Sequence, residues 1–502
     1  DRAFFGHPRG LGLLFMTEMW ERFSFYGLRP LLVLFMAAAL ADGGFGFDRP
    51  AASAIVGIYA ASVYLASLPG GWIADRWLGL RRAILIGAML ITSGHLAIGI
   101  SGMAGAGAGK IFFFLGLVLI VLGTGLLKPN ISAIVGDLYP GGGARRDAGF
   151  SIFYMGINTG AFIGQLVTGY LGERVSWHWG FGAAGVGMLC GLLMFWLKAK
   201  DTLGTLGQDI VRDPNPAVQA KREGAVRNYT FGGLALLALV FVLASTGAVT
   251  LDPQAIGGVM TFVLVGIAVA FFGFLFAFGG LTRDEKRRSG VIFVLFVFAA
   301  IFWAAFEQAP TSLQLFANDF TDRNLFGFEI PATWFQSVNS AFIILFSPLF
   351  AALWILLAKR NIDLSSPAKF AIGLALAGVG FLVMVFAANR VVASGGTVLV
   401  SPWWLIISYL FQTLGELFLS PVGLSSMTKL APRRYVGQMM GIWFLATSVG
   451  NLVAGLVGGH VDPTKLDQTP LVFSGTAIAL FGATVILALM IVPIRRLMAT
   501  AK

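Results

Sequence analysis

Apolar runs of 18 or more residues recur along the whole chain, each ended by a short cluster of glycine, proline or charge. Reading the runs between those interruptions predicts spans near 11–40, 52–74, 83–101, 111–136, 148–171, 179–197, 229–249, 255–280, 290–318, 332–358, 368–389, 401–428, 435–459 and 471–494. A helix needs about 20 predominantly apolar residues to cross a bilayer core. The pattern therefore predicts fourteen transmembrane helices in an all-α polytopic membrane protein, with the lipid bilayer as its surroundings. The longest polar connection covers 201–228, and a second basic stretch, TRDEKRRSG, covers 282–290. Between them lies a two-helix hairpin almost free of charge, which reads as a peripheral insertion. The expected organisation is a six-helix bundle over 1–200, a linker and inserted hairpin over 201–289, and a second six-helix bundle over 290–502.

Composition agrees. The 502 residues are 57% hydrophobic and 12% charged, half the charged fraction of about a quarter usual in soluble domains. The first apolar run is too long for a cleavable signal peptide and many others follow it. The lone cysteine, Cys190, excludes an internal disulfide. A net charge of +11 raises the question of nucleic acid, but the placement of the charge answers it. Of the Lys and Arg residues, 26 fall on the side of the two termini, Lys502 among them, 6 on the opposite side, and 3 within spans. By the positive-inside rule both termini are expected in the cytoplasm, and no nucleic-acid partner is implied.

An internal repeat carries the argument further. LGTGLLKPNISAIVGDLYP (122–140) overlays LGELFLSPVGLSSMTKLAP (414–432) without a gap, matching Leu122, Gly123, Pro129, Leu138 and Pro140 to Leu414, Gly415, Pro421, Leu430 and Pro432. These are the fourth helices of the two six-helix halves. Matching kinks at matching places predict two halves related by a pseudo-twofold along the membrane normal, with a site at mid-membrane.

Glu18, Glu21, Arg22, Arg29, Lys128, Glu307 and Glu416 fall at membrane depth. A charge at a helix centre costs roughly 2.5–3.5 kcal/mol on insertion scales, so such groups line wet cavities or pair with one another. At about 100° per residue, Glu18, Glu21, Arg22, Phe25, Tyr26 and Arg29 share an arc of roughly 140°, a polar stripe on the first helix. Glu18 and Arg22, at i and i+4, are spaced for a pair. In the repeat, Lys128 stands opposite Ser420 and Glu416 opposite Thr124, so the halves present a cation and an anion at nearly the same depth. With Arg29 beside the cation and Asn158 and Asn339 as neutral partners, such a polarised site suits a small zwitterion. Glu307, among Phe302, Trp303, Phe306 and Pro310, reads as a carboxyl able to load and release a proton.

Other features read as structural. SGMAGAGAGK (101–110) lacks the Ser or Thr and the preceding strand of a phosphate loop, and reads as a flexible outer loop. His95 reads as a packed neutral side chain. Asp75, Arg76, Arg81 and Arg82 read as braces at the cytoplasmic face. No Cys/His cluster implies a metal, no cofactor motif is present, and no nucleophile–base pair suggests an enzyme.

Three motifs carry a resemblance. Glu18-Met19-Trp20-Glu21-Arg22-Phe23 resembles the ExxERF motif on the first helix of proton-dependent oligopeptide transporters, within the major facilitator superfamily. Phe153-Tyr154-Met155-Gly156-Ile157-Asn158-Thr159-Gly160 resembles that family's FYxxINxG, and Gly71-Trp72-Ile73-Ala74-Asp75-Arg76, with Arg81 and Arg82, resembles the superfamily's loop between helices 2 and 3. The resemblance spans essentially the whole chain and implies a fold of two six-helix bundles plus the inserted hairpin. It further implies a monomer in the bacterial inner membrane that imports di- and tripeptides with protons by alternating access. Glu18, Glu21 and Arg22 would couple protons to Lys128. Arg29 and Lys128 would take the peptide carboxylate, and Glu416, Asn158 and Asn339 its amino end. Glu307 and Arg29 would form a gate opened by protonation, and Tyr26, Tyr64, Trp303 and Trp443 would wall the pocket. Phe25 and Ala161 depart from the Tyr and Ser common in that family. The alternative is a proton-coupled antiporter of drug-like solutes, or a symporter of another small solute.

Overall fold

The computed structural model describes residues 1–499, except for the side chains of Leu424, Thr428 and Ala499; Lys502, counted above with the terminal side, lies outside them. The fold is almost entirely helical: α1 Arg9–Ala37, α2 Arg49–Ile73, α3 Leu80–Ser101, α4 Ala106–Asp137, α5 Gly143–Tyr170, α6 Trp177–Leu203, α7 Pro216–Ser245 and α8 Pro253–Phe278, then α9 Arg283–Phe306, α10 Gln314–Asp319, α11 Trp334–Lys359, α12 Ser366–Ala393, α13 Trp403–Leu430, α14 Val436–Gly458 and α15 Gln468–Ala499. α9 and α10 form one span interrupted at Glu307 and by a wide turn over Ala309–Leu313, where Pro310 removes a backbone donor. Each of the fourteen spans expected from the sequence has its helix.

Thirteen of these pass a test of length and hydropathy as membrane spans. The fourteenth, α1, carries Glu18, Glu21, Arg22 and Arg29 inside its 29 residues. Several boundaries differ from expectation, those of α7 and α4 for plain local reasons. α7 starts at Pro216, not near 229, because Asn215 caps it through its side chain and Pro216 supplies the preset first turn. The outer loop after α3 ends at Gly105, so the second half of the glycine-rich run 101–110 belongs to α4. Glycines spaced along a helix are tolerated where a neighbouring backbone needs the room.

The chain forms two compact units: Asp1–Leu31 with Ser62–Asp252, and Leu32–Ala61 with the residues from Pro253 onward. In the first, α5 lies against α1 through a row of small residues four apart. A β-carbon on Gly160 would fall 2.2 Å from the Met19 carbonyl oxygen, and one on Gly164 2.5 Å from that of Phe23. One turn on, Thr168 donates to the Gly27 carbonyl at 2.8 Å. The final glycine of FYxxINxG is thus required by the approach of α1. α4 meets α3 the same way, with Gly123 and Gly87 each facing the other's carbonyl. α7 touches this unit where Phe231 meets Trp77 edge-on at 5.8 Å, and most of its apolar surface is left outward.

In the second unit α13 meets α12 through Gly415 and Gly373, again carbonyl to glycine. Gly123 and Gly415 are repeat partners, so the aligned glycines perform the same packing in both halves. α8 lies on this unit and buries Leu264, Ala268, Phe272 and Leu275. The first half of α2 is zipped onto α14: Ser53 donates to the Gly455 carbonyl at 2.6 Å, Ser448 to that of Ala61 at 3.1 Å, and Gly57 lies directly on Gly455.

Candidate functional site

In the first unit the charged stripe of α1 is turned inward. Glu21 is 0% exposed, Glu18 and Arg22 1%, and Arg29 7%. The expected i, i+4 ion pair of Glu18 with Arg22 forms, and Glu21 joins it as a closer partner. Arg22 takes Glu21 with both arms, Nη2 donating to Oε1 at 2.7 Å and Nε to Oε2, while Glu18 stands off at 3.7 Å. Adjacent residues on a helix do not ordinarily face each other, but two long side chains bridge the gap by bending toward one side. Glu18 Oε2 is left buried and without a hydrogen-bond partner among the described residues, and it lies within electrostatic reach of Lys128. Phe25 and Tyr26 sit beneath the cations: Arg22 lies 4.5 Å from the Phe25 ring, and Arg29 5.1 Å from that of Tyr26. An aromatic face attracts a cation without neutralising it, so Phe25 retains this function after loss of a hydroxyl.

Lys128 stands one residue before Pro129 in α4, with Nζ 4.4 Å over the Tyr64 ring. It stays partly accessible, whereas Thr124, one turn earlier, is fully buried. Asn158 donates to the Tyr154 carbonyl of its own helix at 3.1 Å, which leaves its amide oxygen directed away from that bond.

In the second unit Glu416 is likewise partly accessible on α13. Asn339 of α11 donates to Glu416 Oε2 at 3.3 Å and to Thr413 Oγ1 at 2.8 Å, so Asn339 and Glu416 form one constellation anchored by Thr413. Glu307 closes α9 and is 7% exposed. Trp303, one turn earlier, packs edge-on against Phe306 and lies on Gly450, and its indole N–H is buried with no acceptor among the described residues. Trp443 covers Gly423, where a β-carbon would fall 2.1 Å from the indole. His95 is buried at 1% exposure with neither ring nitrogen bonded among the described residues, as a packed neutral side chain would be.

Two elements escaped the sequence reading. Arg49, the first residue of α2, pairs with Asp319 at the end of α10 and donates to the Val461 carbonyl at 2.9 Å. Its signal was available: these are isolated charges on the charge-poor side, each at the end of a span. Thr413 was the other, hidden because a hydroxyl among apolar neighbours carries no periodic signal.

The sequence profile of the POT family matches residues 81–201 and 262–471. The chain belongs to the POT family. It is 51% identical to the peptide transporter YePEPT of Yersinia enterocolitica, over 99% of this chain and 96% of that one. It is 36% identical to a di-/tripeptide transporter of Lactococcus lactis, over 98% and 95%. Among solved structures, a peptide transporter POT in complex with sulfate superposes with a TM-score of 0.88 at 40% identity, over 99% of this chain and 96% of that one. A POT family transporter in complex with 5-aminolevulinic acid superposes at 0.87 and 33% identity, over 98% of both. This POT protein therefore has the major facilitator fold, two six-helix bundles with a two-helix insertion, and is a multi-pass secondary transporter rather than an enzyme.

Proposed function

We propose that this chain imports di- and tripeptides together with protons by alternating access, as a monomer in the bacterial inner membrane with both termini in the cytoplasm. The observation that carries the reading is the opposite polarity of two repeat-related helices. At nearly the same register α4 offers Lys128 and α13 offers Glu416, and each is partly accessible. A peptide is a zwitterion of fixed polarity and variable side chains. Lys128, with Arg29, receives its carboxylate, and Glu416, with Asn339 and Asn158, holds its ammonium. Tyr26, Tyr64, Trp303 and Trp443 supply flat apolar walls that tolerate varied side chains.

Proton coupling rests on Glu18, Glu21, Arg22 and Glu307. The Glu21 carboxylate is committed to Arg22, which leaves Glu18, with one unpaired oxygen, as the carboxyl that competes with a substrate carboxylate for Lys128. Protonating Glu18 releases Lys128 for the peptide, and deprotonation reclaims it. Glu307 and Arg29 act as a proton-opened gate, and the Arg49–Asp319 pair latches the end of α2 in the state described here. The test is uptake of a labelled dipeptide into proteoliposomes. Accumulation driven by an inward proton gradient supports the reading; efflux driven by that gradient supports an antiporter of drug-like solutes.

A further inference from the structure

A cavity of about 510 Å³ opens at the end of the first unit where α3 begins and α6 ends. Arg81, Arg82 and Leu85 form one wall, Phe195, Trp196, Ala199 and Lys200 the second, and Gln208 and Asp209 of the following linker the third. The linker is folded back to make that wall. Gly204 and Gly207 both take positive φ, at 59° and 74°, a conformation that favours glycine. Their carbonyls accept from the Arg81 side chain and backbone N–H, respectively, which fixes Arg81 at the rim. Val211 then donates to the Asp75 carbonyl at 2.8 Å and closes the loop over the turn between α2 and α3.

Three cations and one carboxylate face this space. No ion pair among the described residues engages Arg81, Arg82 or Lys200, and the positive end of the α3 dipole adds to their field. The cavity therefore has unsatisfied positive charge in a preformed shape. Its position selects the ligand. Trp196 is 63% exposed and Phe195 is buried at the level where the apolar part of α6 gives way to Lys198 and Lys200, the placement of an aromatic at a membrane–water interface. Basic pockets between transmembrane helices at that level bind the headgroups of anionic lipids.

We propose that this cavity binds the phosphate of an anionic phospholipid headgroup, with Arg82 and Lys200 as its ligands and Arg81 as the fixed rim. Arg81 is tied to the linker, whereas the side chains of Arg82 and Lys200 are exposed and free to close on an anion. The site is separate from the residues assigned to peptide and proton, so it stands whether or not the transport reading does.

Native mass spectrometry of the purified full-length chain, titrated with phosphatidylglycerol, phosphatidylcholine or inorganic phosphate, tests it. The chain retains phosphatidylglycerol in preference to phosphatidylcholine, and Arg82→Gln with Lys200→Gln weakens that retention about 30-fold. Asp209→Asn removes the one opposing charge and tightens it several-fold, a gain that a misfolded variant would not produce. Unchanged retention in the double variant, or equal retention of phosphatidylcholine, overturns the site. Displacement of phosphatidylglycerol by millimolar inorganic phosphate overturns the lipid assignment in favour of a soluble anion.

Discussion

A single methyl group on Gly57 probes the closure of α2 on α14. A β-carbon there would lie 2.7 Å from the Asn451 carbonyl oxygen and 2.8 Å from the Gly455 α-carbon, against about 3.4 Å for ordinary contact. Both obstacles are backbone, so neither can rotate aside, and the helices must part by roughly 0.6 Å. Overpacking of this kind costs about 1–3 kcal/mol. In a two-state protein the cost falls on the closed state alone, so Gly57→Ala raises the open fraction about 5- to 150-fold. Ser53 reports it. Its side chain is 0% exposed and bonded to Gly455 in the closed zipper. With Cys190→Ser removing the exposed native thiol, Ser53→Cys reacts with a maleimide at a rate proportional to the open fraction, provided opening is fast relative to labelling. The rate is expected to rise by that factor when Gly57→Ala is added. An unchanged rate in a variant that folds and melts like its parent would refute the idea that this contact must open during transport.

Three further outcomes follow from the same geometry. Lys128→Ala and Glu416→Ala each lower initial uptake of a labelled dipeptide at least 100-fold in proteoliposomes; wild-type rates in either remove the polar-pole mechanism. Glu307→Gln loses gradient-driven accumulation but keeps counterflow, because a permanently neutral group cannot cycle a proton; full accumulation would place proton coupling elsewhere. Glu21→Leu and Arg22→Met each cost about 3–5 kcal/mol of stability by stranding a buried charge, whereas the double variant loses less than their sum in thermal unfolding. Additive losses would show that the pair is not coupled.

Much of this molecule is legible in its sequence, because lipid enforces simple rules. Every backbone group in the bilayer must be bonded within its own helix, so the apolar runs alone give all the spans, including α1 despite its charges. Gly123 and Gly415 could be aligned before their role as equivalent helix contacts was visible. What sequence could not give is partner choice at short range. Helical spacing gave the Glu18–Arg22 pair, which forms, but not the two-armed bond that Arg22 also makes to Glu21. The start of α7 was hidden because 216–228 is polar enough to read as loop, and only the Asn215 cap with Pro216 marks the helix. Arg49 and Asp319 are some 270 residues apart, and nothing along the chain brings them together.

If separate poles read the two ends of the peptide, peptides blocked at one end reveal it. Binding of a dipeptide, its N-acetylated form and its C-terminal amide is to be measured in the parent, in Lys128→Gln and in Glu416→Gln. The parent rejects both blocked forms. Lys128→Gln loses its preference for a free carboxylate but still rejects the acetylated peptide, and Glu416→Gln does the reverse. Loss of both preferences together, or of neither, is incompatible with separate poles.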